Sequence, residues 1–372
     1  MAIYKIFPTQ DASIYSIYPS RNTGLDEILE ASTDISISGT PQTSRFLVQF
    51  DNTEINDIIN NKISGSTWQA NFKGFVANLD GLNITTTLEF YPLSTTWAMG
   101  TGKYLYSPEY TNGVSWTYRS YSGSNAWSTN SFAAYVTASY SNEVGGGTWF
   151  TGSSNSTILP IYSTQSFGYF DSGDIDVNIT NMVKAWYSGS IVNNGFIVKQ
   201  STEFIDSEDY QINMKFFSRD THTIYPPQLE FRWRDYIFNT GSSTNTILNT
   251  QTATVSLSEN PGIFYSGSIN KFRINSRPTY PTRIFQTASL YTTNYYLPTA
   301  SYYAVKDLDT NEFVIDFDNQ YTQLSADGIS SYFTLYMNGL EPERYYKILI
   351  KSVIDGSTII FDDNYYFKIV NG

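Results

Sequence analysis

Apolar and polar side chains alternate along this chain in short runs, each bounded by Gly, Ser, Asn or Pro. Ser44-Arg45-Phe46-Leu47-Val48-Gln49-Phe50 and Thr85-Thr86-Thr87-Leu88-Glu89-Phe90-Tyr91 are two such runs. Asn213-Met214-Lys215-Phe216-Phe217 and Pro227-Gln228-Leu229-Glu230-Phe231-Arg232-Trp233 are two more. A period of two sends successive side chains to opposite faces of a strand, so these runs predict half-buried sheets. The residue supply agrees: 31 Tyr and 24 Phe among 372 residues, with frequent Ser, Thr, Asn and Gly, suit pleated surfaces joined by turns. An all-β protein is expected.

Helical spacing occurs in two places. Asn52 to Asn61 offers Ile55, Ile58 and Ile59. Asn178 to Tyr187 sets Ile179, Met182, Val183 and Trp186 at i, i+3, i+4 and i+7, with Gly189 just beyond. Both are expected to cap the ends of a sandwich.

The chain is long for one domain, and its tryptophans suggest where it divides. Trp68, Trp97, Trp116, Trp127, Trp149, Trp186 and Trp233 all precede residue 234. The turn-rich stretch Asn239-Thr240-Gly241-Ser242-Ser243-Thr244-Asn245 follows the last of them. The expected division is a first domain over 1–235, a linker over 236–250 and a second domain over 251–372. Between Trp97 and Trp149 the sequence becomes dense in Gly, Ser, Asn, Tyr and Trp, which predicts a long insertion over about 98–165. Its aromatics either form a contact surface or pack against their own sheet.

Composition closes several functional classes. With no cysteine there is no disulfide framework, cysteine-based zinc or iron–sulfur site, or thiol nucleophile. His222 is the only histidine, and Arg219-Asp220-Thr221-His222-Thr223 reads as a polar turn before Pro226-Pro227. A net charge of −12 leaves no basic excess for a nucleic-acid backbone. Three acidic clusters stand out: Asp171, Asp174 and Asp176; Asp206, Glu208 and Asp209; and Asp362 with Asp363. Oxygen-rich loops of this kind can hold calcium, and paired carboxylates can cleave glycosides, but solvated turns are the reading preferred for them. Without a Walker loop, dinucleotide fingerprint or G-x-S-x-G elbow, the expectation is no enzyme and no cofactor.

In the C-terminal part, Leu340-Glu341-Pro342-Glu343-Arg344-Tyr345-Tyr346 precedes a strand from Lys347 to Val353. Tyr346, Ile348 and Ile350 share one face of it, and Lys347 and Lys351 the other. Asp355-Gly356 signals a type I′ hairpin, and Tyr365 to Val370 forms the last strand. The spacing of Leu340, Pro342 and Tyr346 resembles the tyrosine corner of fibronectin type III and other immunoglobulin-like domains. That resemblance implies that the Tyr346 hydroxyl bonds the backbone upstream.

The first domain resembles the DNRLRE-type β-sandwich, a jelly-roll-like module of bacterial surface proteins and bacteriophage particles. Asp11-Ala12-Ser13 with Asn22-Thr23-Gly24, Arg45 to Asp51, Trp97 with Gly100-Thr101-Gly102, and Asp176 to Trp186 followed by Asn194-Gly195-Phe196 carry the likeness. The family's motif residues are structural, so the resemblance implies no catalytic residues. The fold expected is a jelly-roll-like β-sandwich with a long aromatic insertion, followed by a smaller immunoglobulin-like sandwich.

The opening MAIYKIFPTQDASIYSIYPS has no apolar stretch of signal-peptide length, and no run in the chain is long enough to span a membrane. Of the family's two habitats this favours the phage particle, assembled in the host bacterial cytoplasm. The expected function is a structural component of the neck, tail or head exterior, contacting other virion proteins and forming a homo-oligomer or symmetric ring. Contacts are expected through Tyr104, Tyr106, Tyr110, Trp116, Tyr118, Tyr121 and Trp127, and through Tyr291, Tyr295, Tyr296, Tyr302 and Tyr303. Internal packing is the other reading of both groups. A glycan-binding attachment module is the competing function, and a polysaccharide depolymerase a third.

Overall fold

A computed structural model describes residues 2–35, 41–65, 67–82, 85–106, 111–127, 136–138, 145–150, 161–203, 212–240, 247–280 and 295–372. Strands predominate, and the protein is all-β. It forms two compact units, one of Ile6–Lys62 and Gln69–Glu230, the other of Met1–Lys5, Ile63–Trp68 and Phe231–Gly372.

Up to residue 92 the chain runs through β1 (Ala2–Ile6), which belongs to the second unit but for its last residue, and then β2 (Gln10–Tyr15), β3 (Ile28–Ile35), β4 (Pro41–Gln49), β5 (Trp68–Gly74), β6 (Val76–Asp80) and β7 (Thr86–Pro92). The insertion contributes β8 (Tyr118–Ser120), β9 (Asn125–Ala126), β10 (Val136–Ala138) and β11 (Thr148–Phe150). Then come β12 (Ser163–Phe167), β13 (Ile175–Asn178), β14 (Phe196–Gln200), β15 (Asn213–Phe217) and β16 (Gln228–Trp233). The main sheet has the order β12-β7-β14-β4-β3-β15-β6, with β2 paired to β4. A second sheet has the order β1-β16-β5-β13. Phe72 on β5 meets Phe196 and Phe90 of the main sheet at ring separations of 4.9 and 6.2 Å, which makes the first unit a sandwich.

Two α-helices lie between strands among the described residues. α1 (Asn52–Asp57) starts where the Asp51 side chain accepts from Thr53 N–H, and it continues as a π turn over Ile58–Lys62. α2 (Thr180–Tyr187) buries Met182, Val183 and Trp186. It starts two residues later than the periodicity suggests because the Asn178 side chain accepts from Thr180 N–H at 3.0 Å. The Tyr187 hydroxyl reaches Asn60 just past α1, donating at 2.7 Å.

The second unit has the immunoglobulin strand arrangement. β17 (Ala253–Leu257), β19 (Ile269–Pro278), β23 (Ser331–Tyr336) and β22 (Ser325–Ala326) pair in that order in one sheet. The other sheet runs β18 (Ile263–Tyr265), β25 (Ser357–Val370), β24 (Tyr345–Ile354), β20 (Ser301–Asp307) and β21 (Phe313–Ile315). β18 is parallel to β25, and the other strand pairings of these sheets among the described residues are antiparallel. Between the sheets Phe272 stacks on Phe333, and Tyr303 covers the other side of Phe333 at 4.3 Å. Asp355 and Gly356 both have positive φ (49° and 75°), as the type I′ hairpin requires. The Tyr346 hydroxyl donates to the Glu341 carbonyl at 3.0 Å over buried Leu340, so the turn before β24 is tied at its base beside Pro342.

The linear division at 235 and 251 is not the division the fold makes. Ile3 and Leu248 are buried in the core of the second unit, and Trp233 packs edge-on to Tyr336 at 5.4 Å. Trp68 sits against Phe231 at 5.8 Å, and both Trp68 and Trp233 belong to the second unit. The stretch read as a linker is bonded into that unit as well. Ala326 donates to the Ile237 carbonyl and receives Asn239 N–H, while Leu248 N–H bonds Tyr296 O at 2.8 Å. Residues 241–246 lie outside the described residues.

Candidate functional site

The four described insertion-region tryptophans face inward. Trp97, Trp116, Trp127 and Trp149 form a buried cluster with Ala12, Ile14, Leu47, Val114 and Ile197. In β4, Phe46 and Val48 point into the sandwich, and Leu47 points to this second cluster. The main sheet is therefore covered on both faces. Trp116 and Trp127 are interior residues, which corrects the expectation of a contact surface at those positions: their indoles fill the space over β4 and β14.

Arg45, one strand position from Phe46, lies beneath this layer. Its guanidinium sits 4.6 Å from the Trp116 ring and 5.3 Å from Trp149. It grips Glu203 in a two-pronged pair, Nη2 to Oε1 at 2.8 Å and Nε to Oε2 at 3.0 Å, and also donates to the Gly146 carbonyl. The side chains are 1% and 0% exposed. Lys199 joins Glu203 at 3.5 Å and Glu89 at 2.7 Å, balancing two cations with two carboxylates. Gly146 has φ +78°, and a Cβ there would lie 2.4 Å from Arg45 Nη1, so glycine is required. A network this closed fixes structure and offers no reacting group to solvent.

The motif segments named from the sequence meet around the same layer. Asn22 is buried and donates to Met99 O at 2.7 Å and Val114 O at 2.8 Å, while accepting from Gly102 N–H at 2.7 Å. Trp97 Nε1 donates to Asn194 O at 2.9 Å, and Asp11 accepts from Arg219 N–H at 2.7 Å. Burial pushes the Asp11 carboxyl up to about 7, with the Arg219 amide pulling the other way and nearby Asp220 adding to the rise.

The remaining contact candidates divide. Tyr104 is half-buried against Tyr15 and Tyr18, with Arg21 near its ring. Tyr106 is exposed beside exposed Leu105, and Tyr118 meets exposed Tyr121 edge-on at 5.0 Å. Tyr110 and Tyr291 lie outside the described residues. In the second unit Tyr296 and Tyr303 are core residues, correcting their assignment to a surface; the Tyr296 hydroxyl donates to Asp327 O at 2.6 Å. Tyr295 packs against the core, and Tyr302 lies half-buried on the outer sheet face.

Asp171, Asp174 and Asp176 border an open cleft of about 530 Å³ with Lys73, Phe75 and Gln165. Their oxygens serve local structure: Asp171 accepts from Gly168 N–H, Asp174 from Val76 N–H, and Asp176 from the Asn71 side chain. Asp206, Glu208 and Asp209 lie outside the described residues, and Asp362 pairs with Lys347. The His222 side chain is largely exposed, 3.6 Å from Glu27. Among the described residues no group of three or more His, Asp or Glu side chains is placed to hold a metal ion.

Two surface features went unread in the sequence. Tyr169 and Phe170, 73% and 95% exposed, form an aromatic tip beside the acidic cleft. On the second unit, the register aligns Tyr345 with Lys368, Lys347 with Tyr366, and Tyr302 with Lys351 on one outer face. The alternation in Tyr365-Tyr366-Phe367-Lys368 carried the signal for the latter. The former had none beyond two adjacent aromatics in a Gly- and Asp-rich turn. No protein-family model matches the chain, and no curated protein matches it.

Proposed function

We propose that this protein is a non-enzymatic structural component of a tailed-phage particle, on the neck, tail or head exterior, working by protein–protein contact. On this reading it is built in the host cytoplasm and carries a DNRLRE-type sandwich followed by the immunoglobulin-like unit. The observation that supports it best is the distribution of aromatic side chains. The tryptophans and many phenylalanines build the cores, while Tyr106, Tyr121, Tyr169, Phe170, Tyr265, Tyr345 and Tyr366 stand exposed. Tyr and Phe at a surface provide large contact area at small cost in side-chain entropy.

The test is mass spectrometry of purified particles from an infection expressing the protein. Recovery at a fixed copy number supports the reading, and absence from washed particles refutes it. A second reading, glycan attachment, is favoured by the position of Tyr169 and Phe170 beside the cleft lined by Gln165 and Asp174. Saturable binding to one host polysaccharide would support that role, and release of oligosaccharides would instead indicate a depolymerase.

A further inference from the structure

Charge is shared unevenly along the chain. Residues 1–230 contain 21 Asp and Glu against 11 Lys and Arg, whereas residues 231–372 contain 13 against 11. The second unit concentrates part of its positive charge on the outer face of the β18-β25-β24-β20-β21 sheet. Lys306, Lys347, Lys351 and Lys368 share that face, and Lys306 stands directly opposite Lys347 in the ladder. Like charges in that position disfavour an isolated sheet. Asp362 and Glu343 partner Lys347 and Lys368. Lys306 and Lys351 instead lie over the rings of Phe313, Tyr302 and Phe317 at 4.7 to 5.2 Å, with no ion pair among the described residues. Exposed Ile263, Tyr265 and Tyr345 extend the face with apolar area.

The first unit presents a complementary patch. Tyr169 and Phe170 project from a turn held by the bond from Gly168 N–H to Asp171 Oδ2 at 2.7 Å. Exposed Asp171 follows them directly, and Asp174 and exposed Asp176 line the adjoining cleft, with Lys73 3.8 Å from Asp176 as the cation there. One patch is aromatic and anionic, the other aromatic and cationic.

We infer that the Tyr169–Phe170 tip of one copy docks on the tyrosine–lysine face of a second copy. This deepens the reading of the protein as an assembling particle component and rests on it. The two patches differ, so the contact is head-to-tail, and each contacting pair keeps one free tip and one free face. Such contacts propagate until they close a ring or continue as a filament. Charge opposition fixes the pairing, and ring burial supplies the driving force.

The test uses sedimentation velocity of the full chain. Wild type is expected to associate with rising concentration, and its association constant to fall about tenfold or more between low salt and roughly 0.5 M salt, because exposed charges are screened. Y169S/F170S removes the tip, and K306E/K351E reverses the face without touching a core residue. Each variant should stay monomeric with an unchanged melting temperature. Mixed, they should form a one-to-one dimer that grows no further, since each supplies the patch the other lacks. Wild type that is monomeric throughout, a variant that assembles like wild type, or a mixture that stays monomeric overturns the inference. A monomeric chain retained on an immobilised anionic polysaccharide gives the face to a glycan, which also overturns it. Particle mass spectrometry is scored separately, so the copy-to-copy contact can fail while the virion assignment stands.

Discussion

Replacing Arg45 by Met tests whether the pair beneath the tryptophan layer is structural. Arg45 and Glu203 are nearly inaccessible to water and joined by two short bonds. Removing the cation leaves Glu203 with Lys199 at 3.5 Å, a lysine already held closer by Glu89 at 2.7 Å. Glu203 is then a buried carboxylate with most of its compensation gone, a situation that costs about 3–5 kcal/mol. Lys199 holds R45M toward the lower end, and Met keeps some contact with the Trp116 and Trp149 rings. E203Q should cost a similar amount, because the amide oxygen left there can accept only one of the two Arg45 bonds and carries no charge to balance the buried guanidinium. R45M/E203M removes both charges together and should lie within about 1–2 kcal/mol of wild type, far from the sum of the single losses. Urea unfolding followed by tryptophan emission reads all three variants, since Trp116 and Trp149 lie on the guanidinium. Single variants within about 1 kcal/mol of wild type, or strictly additive losses, would refute the reasoning.

Asp11→Asn should flatten the pH dependence of stability. With its carboxyl lifted from 3.8 to about 7, the folded chain favours the protonated form, so this contribution is full below about pH 4 and lost as pH rises through 7. The variant should match wild type near pH 4 and exceed it at pH 8 by up to about 4 kcal/mol, and an unchanged pH profile of Tm would count against it. Tyr346→Phe loses the bond to the Glu341 carbonyl and should cost about 1–2 kcal/mol in urea unfolding; no measurable loss would mean that the corner holds without its hydroxyl. Asn22→Ala removes the bonds to Met99, Val114 and Gly102 and should cost about 2–4 kcal/mol. It should also open trypsin sites at Lys103 and Arg119, read by mass spectrometry of the digest, whereas a wild-type digest would show that the insertion is anchored elsewhere.

Local pattern carried the strands, since alternation depends only on neighbours in sequence. The runs around Phe46, Leu88, Met214 and Leu229 form strands within three residues of expectation at either end. The same rule made the outward face of β4 look exposed, because the indoles that cover Arg45 lie far along the chain. One signal was present: Phe196-Ile197-Val198 is apolar without alternation and buried throughout, as a strand covered on both faces must be. Reading that run against the nearby tryptophans would have placed the insertion over the sheet and moved Trp116 and Trp127 inside. The tryptophan boundary failed for another reason. Trp68 and Trp233 fall in the first part of the chain but belong to the second unit, and sequence order alone does not register such pairings.

The scattered membership of the C-terminal unit also governs when it can form during synthesis. Ile3 belongs to its core, yet the strands enclosing that core begin after residue 250. At about 5–20 residues per second, the first residues wait on the order of ten seconds or more for their partners to leave the ribosome. During that interval β1 is a strand without its partners, its apolar face open to capture by a neighbouring nascent chain. The first unit needs nothing beyond Glu230, so it can close while the strands of the second are still being made, and the two units are committed to fold at different times.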